Sequence, residues 1–339
     1  MAHTDKWLSL HEEEVIEPDL PICDPHHHLW HEHGGRFVEP TYLFEQIHRD
    51  VNSGHNIVST VFIECGAMFK GTGPEHLKCV GETEFVNGIA AMSASGRYGD
   101  CRIAAGIVGT APFLLGGKLT AEALDAQINA GGGRFRGIRL GATWDASNDV
   151  PNARINPPAD MYSTSKFREA FRELAPRGLS FEGWCYHPQI PELTALADAF
   201  PDVTIILDHF GGPLGIGPYA GKEDEVFSNW KISITELAKR PNVMAKLGGL
   251  VMEVNGFGWE REPKPPSSQQ LMERTRRYYE TTIGLFGVER CMFESNFPVD
   301  MIAGTYRTLW NSFKRLTADY SGDEKTALFH DTATRVYRI

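Results

Sequence analysis

The chain of 339 residues contains no run approaching eighteen consecutive apolar residues, so no segment reads as a membrane-spanning helix. It also lacks an excess of positive charge. Its 33 Lys and Arg stand against 44 Asp and Glu, giving a net charge of −11, and such a molecule repels nucleic acid and anionic membranes. Any anionic ligand must therefore be met by a local cluster of Arg or His. Residues 1–17 are polar and acidic where a signal peptide would be basic and then apolar, which makes the cytoplasm the expected location. The six cysteines show no CxxC and no paired spacing, so they read as reduced thiols packed in the core. There is no internal repeat, no low-complexity tract and no linker that would divide the chain. Residues 142–166 and 251–269 are irregular and rich in Pro, Ser and Asn, and they read as long loops within one domain.

What the chain does have is eight short apolar or β-branched runs, at 21–28, 56–65, 102–109, 135–141, 179–186, 204–211, 243–250 and 290–298. Segments with apolar residues at spacings of three and four intervene, for example 120–130, 166–176, 191–200, 230–240 and 271–286. Strand and helix in alternation imply parallel strands joined by crossovers, and eight such units close into a (β/α)8 TIM barrel. The expected organisation is α/β, with an N-terminal extension at 1–20 and a single barrel domain at 21–339. An open doubly wound sheet would place a Gly-rich phosphate turn after its first strand, and here that position reads DPHHHLW.

In such a barrel, chemistry sits at the C-terminal ends of the strands. By strand alternation His26 and His28 share one face with Asp24, while Pro25 and His27 take the other, so the two imidazoles can reach one metal ion. His209, after the run TIIL, is the next candidate ligand or general acid/base, and His187, in GWCYHP, is a similar candidate one residue beyond its strand. Arg139 and Lys246 lie opposite apolar neighbours and point inward. An inward Arg needs either a protein carboxylate or a substrate carboxylate, and both readings stand. Glu294 and Asn296, two apart on strand eight, share a face, and Glu64 ends strand two as a further carboxylate.

These motifs resemble the amidohydrolase superfamily, in particular the amidohydrolase-2 branch that includes sugar lactonases and 2-pyrone-4,6-dicarboxylate lactonase. The resemblance runs through DPHHHLW at 24, RFRGIRL at 134, LDHFGGP at 207, AKLGGL at 245 and FESNFPVD at 293, and so covers nearly the whole chain. It implies a distorted TIM barrel whose HxH histidines line the mouth, with the strand-six histidine beside them and strand-four arginines on a substrate carboxylate. Strand eight departs from the branch pattern FGSDWP: the general-base Asp is Asn296 here, and the neighbouring Gly is Glu294. Asn cannot take a proton. Strand four offers Arg139 where binuclear members carry a bridging Lys or Glu, so one metal at most is implied, zinc first and manganese second. Catalysis without metal is the alternative.

The resulting expectation is a hydrolase of a small carboxylated lactone or related cyclic ester or amide. His26, His28 and His209 would hold a metal or polarise the carbonyl. Arg139, Lys246, His187 and Glu64 would contact substrate, and Glu294 or Asp300 would activate water, with His209 and Asn296 beside them. The loops at 141–166, 211–222 and 251–269, with Trp144, Tyr219, Phe257 and Trp259, would select substrate. A non-oxidative decarboxylase of an aryl or enoic carboxylate, which needs no water-activating base, and a ligand-binding barrel with altered chemistry are the rival readings. A small molecule is the expected partner, not nucleic acid or membrane, and a homo-oligomer stays open.

Overall fold

The computed structural model of the chain describes residues 5–32 and 39–339, so the first four residues of the extension at 1–20 lie outside it. The strands are β1 (Pro21–His27), β2 (Asn56–Ile63), β3 (Arg102–Gly109), β4 (Phe135–Arg139), β5 (Ser180–Gly183), β6 (Ile205–Leu207), β7 (Val243–Leu247) and β8 (Cys291–Phe293). They form one sheet in sequence order, and every neighbouring pair is parallel. The eight-unit barrel expected from the sequence is therefore the fold.

Closure between β8 and β1 is made by residues beyond the strand ends. Asn296 N donates to His26 O at 2.9 Å, His28 N donates to Phe297 O at 2.8 Å, and a single parallel bridge joins His27 to Phe297. The seam thus lies at the mouth and ties the HxH segment directly to the segment after β8.

The outer helices follow from their periodicity and caps. Ser268–Phe286 is opened by a capping box between Ser267 and Gln270 and ended at Gly287, whose φ of 76° suits glycine. It buries Leu271, Thr275, Tyr278, Tyr279, Thr282, Ile283 and Phe286, spaced by one, three and four, against the barrel. Inside the barrel, the lower half is apolar: Cys23, Val61, Ile63, Val108, Ile206, Met244 and Met292. The C-terminal helix Thr332–Tyr337 plugs that end with Ala333 and Tyr337. The N-terminal segment lies over the helices, with Glu13 bonded to Ser268 and Asn311 and Glu17 O accepting from Lys314. No helix among the described residues is long and apolar enough to cross a membrane.

Several strands stop short of the apolar runs that mark them. β6 ends at Leu207 and β8 at Phe293, because the chain beyond them turns: His209 and Phe210 after β6 and Asn296 after β8 take φ of 50°, 59° and 52°. Strand alternation does not apply there. A register shift between Asp24 and His27 in β1 has the same effect. It corrects the expectation that Asp24 shares a face with His26: Asp24 turns to the helical layer, where Tyr306 Oη donates to its Oδ2 at 2.9 Å and Ser295 N to its Oδ1 at 2.9 Å.

Candidate active site

Above the apolar floor the barrel interior turns polar. β5 contributes Glu182, β7 Lys246 and β4 Arg139, and the turns just beyond β6 and β8 contribute Asp208, His209 and Glu294 around His26 of β1. Six of these seven are at most 2% exposed, and Arg139 is 7% exposed. Two cavities, of about 270 and 310 Å³, lie elsewhere, among Leu214, Asn255 and Arg277 and among Glu13, Asp50 and Tyr306. The centre is recognisable as a cluster of buried charges, which must be paired or bind a cation to be tolerated.

The histidines are held by acceptors. His28 Nδ1 is 2.9 Å from Ile63 O, and since a carbonyl only accepts, the proton is on Nδ1 and the Nε2 lone pair is free. His209 Nδ1 donates likewise to Glu294 Oε1 at 2.7 Å, leaving its Nε2 free. His26 is contested. Its Nδ1 lies 2.7 Å from Glu294 Oε2 and 3.2 Å from Lys246 Nζ; its Nε2 lies 3.2 Å from Arg139 Nη1 and 3.3 Å from His28 Nε2. With the proton on Nδ1 the ring points it at Glu294 Oε2 and accepts from Arg139 Nη1 at Nε2, leaving the contacts to Lys246 Nζ and His28 Nε2 unmatched. The shortest contact is to a carboxylate, which favours the proton on Nδ1. The Nε2 lone pairs of His26 and His28 then face each other across 3.3 Å, the span of two nitrogens on one tetrahedral ion with bonds of about 2.0–2.1 Å. A ligand imidazole whose other nitrogen donates to a carboxylate or carbonyl is the usual way such a site is oriented. The donor set fits a divalent metal. Among the described residues, two groups of three have ligand atoms all within 4.8 Å of one another: His26, His209 and Glu294, and His26, Glu182 and Asp208. His28 belongs to neither group. His27 turns away, with Nε2 2.9 Å from Thr60 Oγ1.

Burial pushes His26 and His28 well below the ordinary histidine range, and the positive charges of Lys246 and Arg139 push the same way, so both rings are neutral at pH 7. Burial would raise Asp208, yet Lys246 and Arg139 outweigh it and its carboxyl is lowered. The three acids around Lys246 outweigh its own burial and keep it charged. Asp300 is raised well above the usual carboxylate range by burial, against the pull of its bond from Asn296. Asn296 Nδ2 donates to Asp300 Oδ1 at 2.7 Å and Gly249 N to Oδ2 at 3.1 Å, so Asn296 and Asp300 satisfy each other beside the centre.

The sequence leaves Arg139 between a protein acid and a substrate carboxylate and assigns it to substrate; the structure provides the protein acid. Its Nε donates to Glu64 Oε1 at 3.1 Å and its Nη2 to Glu64 O. The physical reason is that Glu64, buried at the end of β2, needs a partner of its own. Arg154, from the long loop after β4, takes the other Glu64 oxygen at 2.9 Å and donates to Cys65 O at 2.6 Å, and its side chain is 51% exposed. His187 packs in the loop layer, accepting from Leu214 N at 3.3 Å with its ring 5.3 Å from Tyr219; burial lowers it to about 4. Glu182, Asp208, Trp184 and Arg154 are absent from the sequence assignment. The signal that marks Arg139 and Lys246, one charge inside an apolar strand, also marks Glu182 in LSFEGW. Trp184, whose ring centroid is 4.8 Å from that of His209 in an edge-on arrangement, and Arg154 carry no such signal.

Glu64 sets one stability prediction. Burial would raise its carboxyl, but Arg139 and Arg154 hold it below the usual range. Its contribution is therefore present above the unfolded value of about 4.5 and is lost as pH falls through the lower folded value. Arg139→Met should cost about 3–5 kcal/mol at pH 7 in urea unfolding, with the deficit shrinking below about pH 4. A deficit independent of pH would assign the loss to packing.

A family model described as Amidohydrolase matches residues 23–339. An uncharacterized protein, y4mH of Sinorhizobium fredii, is 33% identical over 338 residues, covering 95% of this chain and 99% of that one. An L-fucono-1,5-lactonase of Burkholderia multivorans is 27% identical over 155 residues, 45% of this chain and 49% of its own length. Among solved structures, a zinc-bound amidohydrolase from Burkholderia multivorans superposes with a TM-score of 0.70 at 21% identity, covering 94% of this chain and 99% of that one.

Proposed function

Because this chain belongs to the amidohydrolase family and is an enzyme of the hydrolase class, we propose that it opens a small carboxylated lactone or related cyclic ester. The observation that carries the reading is the placement of the two oxygens of Glu294, one hydrogen-bonded to Nδ1 of His209 and the other in ion-pair contact with Nδ1 of His26, each at 2.7 Å. Glu294 so placed is no free base for water; it is the group that fixes two imidazole tautomers. His209 Nε2 is then the general base. It accepts a proton from water as the water oxygen adds to the ester carbonyl, and it returns that proton to the ring oxygen as the C–O bond breaks. Asn296 need not titrate in this scheme, which accounts for the absent aspartate.

His26 and His28 would hold a divalent metal ion through Nε2, and such an ion, zinc first, would polarise the carbonyl as a Lewis acid. The zinc bound in the Burkholderia multivorans relative supports this assignment. Arg139 and Lys246 add fixed positive charge near the oxyanion that develops. Arg139 and Arg154 both bond Glu64, but Arg154, with its side chain 51% exposed, is the guanidinium accessible to a substrate carboxylate. The partial match to an L-fucono-1,5-lactonase supports a lactone over other esters.

The test is a panel of sugar 1,5-lactones, carboxylated pyrones and aryl carboxylates, with and without added zinc or manganese. Ring opening supports the proposal; release of CO2 from an aryl carboxylate without lactone hydrolysis replaces it with the decarboxylase reading. Arg154→Gln should raise KM for a carboxylated lactone about 10- to 100-fold, the range for a charge-assisted bond worth about 1.5–3 kcal/mol, with little change in kcat. An unchanged KM would show that no anion is bound there.

A further inference from the structure

The carboxylates on the Nδ1 side of His26 are gathered as for a metal ion, yet a side chain stands among them. Lys246 Nζ lies 2.6 Å from Glu182 Oε2, 3.5 Å from Asp208 Oδ1, 3.8 Å from Glu294 Oε2 and 3.2 Å from His26 Nδ1. Both Asp208 oxygens are buried without a hydrogen-bond partner, and the charges of this ammonium, 3.5 Å away, and of Arg139, 3.9 Å away, lie against them; Glu294 Oε2, also without a hydrogen bond, faces His26 Nδ1 at 2.7 Å. The group His26, Glu182 and Asp208 has ligand atoms all within 4.8 Å of one another. Lys246 cannot retreat easily. It is fully buried on β7, and Tyr337 of the C-terminal plug bonds Glu182 Oε1 through its hydroxyl at 2.5 Å, keeping the other Glu182 oxygen aimed at Nζ. The plug is tied in turn by Arg136 Nε donating to Tyr337 O at 2.6 Å.

We propose that Lys246 is a built-in cation of the active centre, filling a nest made by Glu182, Asp208 and Glu294 that would otherwise take a divalent metal ion. An ammonium and a divalent ion compete for the same oxygens, so the nest stays closed to metal while Lys246 is charged, and any metal is confined to the Nε2 side of His26. The consequence is a positive charge beside His26 that does not depend on metal supply. This inference rests on the histidine centre described above but not on its substrate.

The experiment counts zinc. Wild type, Lys246→Ala and the double variant Lys246→Ala with Asp208→Asn are titrated with ZnCl2 by calorimetry, and bound zinc is measured after dialysis. The expected result is one more equivalent in Lys246→Ala than in wild type, lost again in the double variant; surface sites cancel in the comparison. Equal stoichiometry in folded wild type and Lys246→Ala overturns the proposal. Should Lys246→Ala fail to fold, anomalous scattering at the zinc edge from ZnCl2-soaked wild-type crystals decides. An ion among Glu182, Asp208 and Glu294 with Lys246 displaced overturns it, and a nest free of zinc supports it. A protein that hydrolyses no lactone would sink the proposed reaction while leaving this count to stand or fall separately.

Discussion

Glu294→Gln should lower kcat by about three to four orders of magnitude while the protein stays folded, the largest effect expected from a single atom exchange in this chain. The carboxylate meets two imidazoles at once, accepting from His209 through Oε1 and facing His26 Nδ1 at 2.7 Å through Oε2. A carboxamide has one acceptor and one donor. One of the two rings must therefore change tautomer and carry its proton on Nε2. If that ring is His209, the general base is lost; if it is His26, the lone pair facing His28 is lost. Either outcome removes function without removing a contact, because Gln keeps the shape and both contacts. Steady-state kinetics on the best lactone of the panel, with a thermal melt of each protein, check the prediction. A Glu294→Gln enzyme with near wild-type kcat would show that the tautomers do not matter and would return attention to Asp300 as the base.

Gly249→Ala is expected to have the second largest effect. Gly249 follows Gly248 after β7, in AKLGGL, and has φ of +67°, a region costing about 1–2 kcal/mol for a residue with a Cβ. Space is the greater difficulty: a Cβ there would overlap the imidazole of His209, and one on Gly248 would overlap Glu294. The two glycines let the backbone of the β7 turn approach Glu294 and His209 closely. Gly249→Ala should displace His209 and lower kcat about 100-fold, the penalty for misplacing a reacting group by about 1 Å, together with a fall in melting temperature of several degrees. Gly284 is the control. It sits within helix Ser268–Phe286, and a methyl group on its Cα would meet nothing within 4 Å, so Gly284→Ala should leave kinetics unchanged and raise stability by about 0.5–1 kcal/mol. Equal behaviour of the two variants would count against close packing at His209 and Glu294.

The pairing of Glu294 with His209 also bears on how the centre tolerates its charge. Asp208, Glu182, Glu294 and Glu64 are all buried within the upper barrel, opposed by Lys246, Arg139 and Arg154. Breaking one member exposes the rest to an unpaired interior charge, which is why removal of Arg139 is expected to cost stability more than catalysis. The site and the fold share residues here. Variants at Glu294 conserve size and hydrogen bonding, so they separate the two roles better than truncations to alanine.

The sequence by itself determined the barrel, its eight strands and the inward placement of Arg139 and Lys246, because period-two alternation and β-branched runs are local properties that the folded sheet preserves. It also marked His26, His28, His209 and Glu294, which stand out as polar residues at the ends of apolar runs. The tertiary structure alone decided what each of them touches. Alternation fails past Phe293 and around His209, where the backbone takes left-handed angles, so nothing local reveals that Asn296 bonds Asp300 or that Glu294 spans two histidines. Glu182 meets Lys246, 64 residues later, and Tyr337, 155 residues later, only because the sheet closes on itself and the last helix plugs it. The choice of Glu64 as the partner of Arg139 has the same origin, since β2 and β4 flank β3 and meet only in the assembled sheet.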